Sequence, residues 1–339
     1  MKKVSIVMWY DWLQNNYLFN EQISIDKDNV LSKYIELKRE FERVGFTVNT
    51  DIADLNLDSS DIILYYSLPK KLPNDKNVKK SFLIIEENFV IKPGDYDKKY
   101  HAYFNKIFTF DDALVDNKKY FKFNHSHLFP KKINKDWNSK KKLCVNISAN
   151  KKSIHPLSLY KERVDTIRWF EHNHPNDFDL YGSDWDKYIF SGPLLFRVFN
   201  RFDFIQKIML RLGNTFSSYK GTLVTKKETL QKYKFSICYE NTKDVPGYIS
   251  EKIFDCFFAG CVPIYWGACN INKYIPANCY IDKRGFSSHR DLYKYISSIN
   301  KKTYLKYLDN IEKFILSNNA EQFKSRYYAK NLVCNIIND

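Results

Sequence analysis

The sequence lacks the cysteine and histidine spacings that mark metal centres and redox motifs. Its seven cysteines are an odd number, no CxxC pair occurs, and most lie in apolar runs such as FSICYEN and DCFFAGCVP. The pairs His125/His127 and His172/His174 have no further ligand residues beside them. We therefore predict reduced and mostly buried thiols, a cytosolic compartment, loop histidines and no metal site.

Long uninterrupted apolar runs are also missing. No charged residue occurs between Cys256 and Asn272, but glycine and proline interrupt that stretch, so we do not expect it to cross a membrane. The apolar run at the start, in MKKVSIVMWYDW, ends at Asp11. It indicates a buried first strand rather than a signal peptide.

Composition favours a folded protein with an anionic partner. The chain has 339 residues, of which 44% are hydrophobic, and this length predicts two domains. The net charge of +15 suits nucleic acid, phosphorylated small molecules or an acidic membrane. The lysines are scattered, and no compact cluster of basic and aromatic residues or RNA-recognition signature occurs, so nucleic-acid binding is a remote alternative and no nucleic-acid partner is predicted.

Strand-like and helix-like segments alternate along the chain. This alternation predicts an α/β fold of two parallel sheets with helices on their faces, without an internal repeat. We place an N-terminal domain at 1–135 and a C-terminal domain at 136–339, with the last helix packing back on the first domain. The polar, basic stretch 117–141 is the candidate linker.

The stretch 190–213, FSGPLLFRVFNRFDFIQKIMLRLG, mixes bulky apolar residues with four basic ones. A basic amphipathic helix of this kind can lie on an anionic membrane surface. The alternative is an ordinary helix packed between the domains, and the sequence leaves both open.

The stretch from Tyr239 to Gly267 contains the clearest chemical signal. It predicts a helix that begins near Ser250, just beyond the strand KFSICYE. Lys252 in the first turn opposes the helix dipole, and a bound phosphate would remove that conflict. Glu251 can accept hydrogen bonds from sugar hydroxyls. The alternative is that both are surface residues.

The same region resembles a known family. The runs YKFSICYEN, GYISEKIFDCFFAGCVPIYWGACNI and YIDKRGF resemble the donor-binding signature of family 10 glycosyltransferases, the α-1,3/4-fucosyltransferases. The match is dense from about 233 to 286, and NISANK, DLYGSDW and EENFVIKPGDY extend it more weakly. The resemblance implies the GT-B arrangement, in which two Rossmann-like domains face a cleft. The N-terminal domain would bind the acceptor, and the C-terminal domain would bind GDP-fucose.

The resemblance also implies a set of donor-binding residues, which are Asn150, Lys220, Asn241, Tyr248, Glu251 and Lys252. Lys252 would face the diphosphate, and Glu251 the ribose or the sugar. Family members usually supply an arginine to the diphosphate shortly before the signature. Here SSYKGTL offers only Lys220, which carries the charge without the bidentate fork of arginine.

An inverting transfer needs one catalytic carboxylate, which removes the proton of the acceptor hydroxyl. Glu86 and Glu87 follow the strand SFLII, and adjacent side chains of a strand point to opposite faces. The pattern E-x-x-V-I-x-P aligns Glu87 with the base of the family. Glu87 is therefore the predicted base.

Three D-x-D strings, Asp95/Asp97, Asp177/Asp179 and Asp184/Asp186, could suggest a Mn²⁺ site. Because family 10 enzymes use basic side chains at the diphosphate, we interpret these as turn-forming aspartates. No cofactor is predicted to be required, and stimulation by Mn²⁺ or Mg²⁺ is left open.

The predicted function is an inverting GDP-fucose-dependent fucosyltransferase that forms an α-1,3 or α-1,4 bond to a GlcNAc-type sugar. Its acceptor would be an oligosaccharide or a lipid-linked glycan of a surface polysaccharide such as lipopolysaccharide. The predicted location is the cytoplasm, peripheral on the inner face of the membrane. Another GDP-sugar donor and a non-catalytic sugar-nucleotide binder are the alternatives.

Overall fold

The computed structural model describes residues 2–10, 13–50, 57–190, 195, 198–209 and 215–337. Contacts divide the chain into two compact units. The first consists of Met1–Phe129, Val245–Glu251 and Ser317–Asp339, and the second of Pro130–Asp244 and Lys252–Leu316. The predicted boundary at 135/136 is thus replaced by one at 129/130, and two later segments join the first unit.

The first unit is built on a six-stranded parallel sheet in the order β2-β1-β3-β4-β5-β6. Its strands are β1 (Lys2–Met8), β2 (Phe46–Asn49), β3 (Ile62–Tyr66), β4 (Ser81–Ile85), β5 (Lys106–Thr109) and β6 (Tyr120–Lys122). Every residue of β3, β4 and β5 is buried. Burial on both faces is what a parallel sheet covered by helices requires.

The helices of the first unit are α1 (Glu21–Asp26), α2 (Ser32–Arg43) and, at the end of the chain, α9 (Ser325–Ile337). Tyr34, Leu37 and Phe41 recur at helical spacing and form the buried face of α2. Helix α9 packs against α2, where the hydroxyls of Ser32 and Ser325 lie 2.8 Å apart. The last helix therefore belongs to the core of the first unit.

The second unit contains a five-stranded parallel sheet in the order β11-β10-β9-β7-β8. Its strands are β7 (Lys142–Ile147), β8 (Phe178–Tyr181), β9 (Tyr233–Tyr239), β10 (Val262–Trp266) and β11 (Ile281–Asp282). Its helices are α3 (Tyr160–Asn173), α4 (Asp203–Met209), α5 (Lys227–Leu230), α6 (Glu251–Phe258), α7 (His289–Ser298) and α8 (Lys301–Ile315). The first residue of α6 is grouped with the first unit.

The fold class is confirmed, with two local corrections. Strand β6 lies inside the stretch 117–141 that the sequence assigned to a linker, and it extends the first sheet beyond β5. The stretch 190–213 is not one helix, because the described part contains a short 3-10 helix at Val198–Arg201 and then α4. The remainder of that prediction, at 191–194, 196–197 and 210–213, lies outside the described residues.

All seven cysteines are free thiols, and five of them are buried, as predicted. Among the described residues, no helix is both long enough and apolar enough to span a bilayer.

Candidate active site

Each sheet reverses its winding at one point. In the second sheet, β8 lies on one side of β7 and β9 on the other, so the winding reverses between β7 and β9. In the first sheet the corresponding point lies between β1 and β3. Open α/β sheets bind ligands beyond the carboxyl ends of the strands at such points. Residues after β7 and β9, and after β1 and β3, are therefore the first candidates.

The two adjacent glutamates after β4 have different surroundings. Glu86 accepts from the Lys33 ammonium at 2.5 Å and from the Tyr34 hydroxyl at 2.9 Å, and its side chain is 11% exposed. An ion pair and a hydrogen bond therefore hold Glu86 against α2. Glu87, the predicted base, is half-buried and accepts from the Tyr10 hydroxyl at 3.4 Å.

Tyr10 follows β1 and keeps its proton. Burial, the charges of Glu87 and Glu86 and its hydrogen bond to Glu87 raise the pKa of Tyr10 well above its ordinary value, and the charge of Glu251 adds to this effect. The phenol is thus a permanent donor at neutral pH. Tyr10, Glu87 and Glu251 form an electrostatically coupled group within the first unit.

Lys252 is paired with a glutamate that the sequence reasoning did not select. Its ammonium lies 3.1 Å from the carboxylate of Glu240, which is completely buried just beyond β9. The side chain of Lys252 is 20% exposed. The conflict between Lys252 and the helix dipole is therefore already offset by Glu240. The helix begins at Glu251, within one residue of the predicted start.

A second cation, Lys226, lies beside Lys252. Lys226, Lys252 and Cys238 line one pocket over the sheet, together with Asp255. The Lys226 ammonium is 2.7 Å from the Asp255 carboxylate, which is three residues after Lys252 and so on the same face of α6. Sequence reasoning missed Lys226 because it precedes the signature and lies in a lysine-rich stretch.

The Lys220 ammonium lies elsewhere. Its acidic neighbour is Asp179, at 3.9 Å, and the same carboxylate accepts from Lys142 at 2.8 Å and from the Tyr233 hydroxyl at 2.5 Å. Lys142 and Tyr233 are the first residues of β7 and β9. The seven residues of β9 span about 20 Å, and Lys252 contacts the residue after its far end. Asp179 is thus shared by Lys220 and the first residues of β7 and β9, and the donor role of Lys220 stays a prediction.

The two predicted asparagines follow β7 and β9. The side-chain amide of Asn150 donates to the carbonyls of Asp184 and Lys187, at 2.9 and 3.1 Å, so it holds the turn after β8. The carbonyl of Asn241 accepts from the amide of Leu159 at 3.0 Å. Both residues lie at the point where the second sheet reverses, but the amide donors of Asn150 are used by the protein itself.

Tyr248 is buried rather than presented to a ligand. It is 2% exposed, its hydroxyl accepts from Asn88 at 2.8 Å, and its ring centroid lies 4.9 Å from that of Phe110. Gly247 beside it has a φ of +80°, and a Cβ there would lie 2.4 Å from the carbonyl oxygen of Phe110. These contacts fix the 245–251 segment to the first unit, and the donor role of Tyr248 stays a prediction.

The prediction that the aspartates of the D-x-D strings form turns is correct for some of these residues and wrong for others. Asp97 caps a short helix and Asp184 has a left-handed backbone with a φ of +66°. Asp179 is instead a buried residue of β8, and Asp95 is buried and accepts from Ser67 and Leu68. Within the described ranges, no three or more His, Cys, Asp or Glu side chains converge as metal ligands.

Known proteins are similar to this chain in fold and, over its C-terminal part, in sequence. A crystal structure of an α1,3-fucosyltransferase with GDP covers 100% of this chain and 91% of its own, with a TM-score of 0.53 and 16% identity. The fold is that of the GT-B glycosyltransferases, as predicted. Residues 201–339 match the family described as glycosyltransferase family 10 (fucosyltransferase) C-term. This match confirms the predicted resemblance to family 10.

The curated relatives match over short segments. The chain is 35% identical to the α-(1,3)-fucosyltransferase FucT of Helicobacter pylori over 82 residues, which are 24% of this chain and 17% of that protein. It is 39% identical to an Arabidopsis thaliana α-(1,4)-fucosyltransferase over 67 residues, which are 20% of this chain and 16% of that protein. The matches thus span about a sixth of these relatives.

Proposed function

We propose that this protein transfers fucose from GDP-fucose to a hydroxyl of a GlcNAc-type sugar with inversion at the anomeric carbon. One observation carries the proposal. In a segment that matches the fucosyltransferase family, Lys252 lies in the first turn of a helix, beyond the carboxyl end of β9 and at the reversal point of its sheet. This is where an α/β sheet binds the phosphates of a nucleotide.

The donor-site roles follow from the positions of the side chains. Lys252 and Lys226 supply positive charge to the diphosphate, and Glu240 and Asp255 hold these two ammonium groups in place. Glu251 is exposed and accepts hydrogen bonds from sugar hydroxyls, and Asn241 borders the same site. Asn150 and Tyr248 act as positioning residues, because their polar groups are bonded to the protein itself.

The proposed step is a direct displacement. Glu87 removes the proton from the acceptor hydroxyl while the oxygen forms a bond to the anomeric carbon of fucose. The bond from that carbon to the β-phosphate oxygen breaks, and GDP leaves with the electron pair. The lysines stabilise the charge that develops on the diphosphate. The Tyr10 hydroxyl orients the Glu87 carboxylate. The step requires no metal ion, and stimulation by Mn²⁺ or Mg²⁺ is a separate matter for assay.

The acceptor and the cellular location are part of the same proposal. We expect an oligosaccharide or a lipid-linked glycan of a surface polysaccharide, acted on from the cytoplasmic side of the membrane. Curated relatives are named both as α-(1,3) and as α-(1,4) enzymes, so both linkages are candidates.

A donor panel tests the proposal. The protein is incubated with N-acetyllactosamine and GDP-fucose, GDP-mannose or UDP-glucose, and the products are identified by mass spectrometry and proton NMR. The expected result is an α-linked fucosyl product from GDP-fucose alone. A product from GDP-mannose alone would favour the alternative donor. A product from UDP-glucose, with none from either guanine nucleotide, would contradict the proposal.

A further inference from the structure

The described residues between 195 and 209, here called the 195–209 segment, expose an unusual amount of apolar surface. Six large apolar side chains, of Leu195, Val198, Phe199, Phe202, Phe204 and Ile208, are at least 38% exposed. Phe204 is 74% exposed and Leu195 is 81% exposed. Single exposed apolar residues are normal, but a concentration of this kind marks an interaction surface.

The polarity of the segment is inverted relative to an ordinary surface helix. Within α4, the polar Gln206 is buried at 8% exposure, whereas Phe204 and the nearby Ile208 face outward. A helix that packs on a soluble core turns its apolar side inward. Helix α4 thus turns the Gln206 amide inward and the Phe204 and Ile208 side chains outward.

Two side-chain amides fix this orientation. Gln206 accepts from the Tyr188 amide at 2.8 Å and donates to the Tyr188 carbonyl at 2.9 Å. Asn200 makes the same pair of bonds to the backbone of Phe190, at 2.7 and 2.9 Å. These reciprocal bonds mimic the pairing of two strands. The apolar side chains are therefore held outward by specific polar contacts.

Basic side chains accompany the exposed apolar ones. Arg201 and Lys207 are both exposed. The sequence from 190 to 213 contains Arg197 and Arg211 as well, against the single acidic residue Asp203, which gives four positive charges against one negative charge. Exposed Phe and Ile next to Arg and Lys is the composition of interfacial helices that lie on anionic lipid.

We infer that the 195–209 segment docks the protein on an anionic membrane surface. The apolar side chains enter the boundary between headgroups and acyl chains, and Arg201 and Lys207 contact lipid phosphates. A second copy of the chain is an unfavourable partner. A symmetric contact between two copies of this segment would bring Arg201 and Lys207 close to the same cations of the other copy. This inference is independent of the proposed reaction, because it concerns lipid binding by a face outside the donor-site residues.

Vesicle flotation tests the inference. The full chain is mixed with vesicles of equal parts phosphatidylglycerol and phosphatidylcholine, or of phosphatidylcholine alone. We expect wild type to float with the anionic vesicles and to be released by salt. The variant Phe204→Ser/Ile208→Ser should bind at least about tenfold more weakly, and Arg201→Glu/Lys207→Glu should lose the preference for anionic vesicles.

The matched control is Ile25→Ser/Leu316→Ser, which removes two side chains that are 60% and 63% exposed outside the segment. It should float like wild type, and circular dichroism confirms that every variant is folded. Wild type that stays unbound, or variants of the segment that float like wild type, would overturn the inference. So would light scattering that shows a wild-type dimer made monomeric by Phe204→Ser/Ile208→Ser while vesicle binding stays unchanged.

Discussion

At the scale of single residues, the two neighbouring carboxylates after β4 differ in their contacts. Glu86 is held by Lys33 and Tyr34 against α2. Glu87 contacts a protonated phenol, which can orient a base without removing its charge. Glu86 is therefore engaged in contacts with α2, and Glu87 stays the predicted base.

The substitution Glu87→Gln should lower kcat for fucosyl transfer by about 10²–10⁴-fold, because a neutral amide cannot take the hydroxyl proton. The KM for GDP-fucose should change little. The matched substitution is Glu86→Gln, which should reduce stability and leave most of the turnover. Initial rates of both variants at saturating donor provide the measurement, and a Glu86→Gln enzyme that is dead beside an active Glu87→Gln enzyme would reverse the assignment.

The sequence identified several site residues but not their partners. Lys252 and Glu251 were found because they occupy a helix start, a local feature. Glu240 lies in the quoted run YKFSICYEN, yet nothing local distinguishes it from a surface acid. Its role depends on its complete burial beside a lysine twelve positions later. Lys220 and Tyr248 were selected through the family resemblance, and the sequence did not predict their contacts with Asp179 and Asn88.

At the scale of the element, sequence prediction succeeded where apolar runs are strong. The strands from Ile62 to Tyr66 and from Ser81 to Ile85 are continuous apolar stretches and were found. Strand β6 was missed because its residues, Tyr120–Lys122, lie in a basic stretch and are only half-buried at the edge of the sheet. Helix α4 has its polarity inverted, so its pattern allowed two interpretations.

One short helix provides a test of pH dependence. His101, in the 3-10 helix Lys98–Tyr103, is buried, with its two ring nitrogens 2.8 Å from the Tyr120 hydroxyl and 2.9 Å from the Asp95 carbonyl oxygen. Donation to the carbonyl places the proton on Nε2, so Nδ1 accepts from Tyr120. Burial lowers the pKa of His101, and the charges of Lys119 and Lys98 lower it further.

The sign of the effect follows from this shift. Below its ordinary pKa of about 6.5 the unfolded histidine binds a proton that the folded one does not. The free energy of unfolding should therefore fall as the pH decreases from about 7.5 to about 5.5. The variant His101→Gln should be less stable at the higher pH and should show a shallower acid dependence. Urea unfolding across this range measures both, and an unchanged slope would contradict the assignment.

At the scale of the whole molecule, neither of the two units is continuous in sequence. The segments Val245–Glu251 and Ser317–Asp339 belong to the first unit although they follow most of the second in sequence. The return of the last helix was predicted from the sequence, but that of the short segment was not. The burial of Tyr248 and the positive φ of Gly247 show how that segment is fixed.

The division into units also separates two neighbouring residues of α6. Glu251 is grouped with the first unit and Lys252 with the second, although they are neighbours at the start of α6. The amino-acid composition does not predict a boundary between units that lies within one helical turn. It follows from tertiary contacts on the two sides of the peptide between these residues.

The most direct test of the account is calorimetric titration of GDP-fucose into wild type, Glu240→Gln, and the double variant Glu240→Gln/Lys252→Ala. Lys252→Ala alone is a poor probe, because it also removes the ammonium group that pairs with the fully buried Glu240 carboxylate, at a cost of about 3–5 kcal/mol. The double variant removes that cost and the phosphate-binding charge together. We predict micromolar binding by wild type and by Glu240→Gln, and at least about tenfold weaker binding by the double variant. Equal binding by all three proteins, or no binding of GDP-fucose by wild type, would contradict the donor site placed at Lys252.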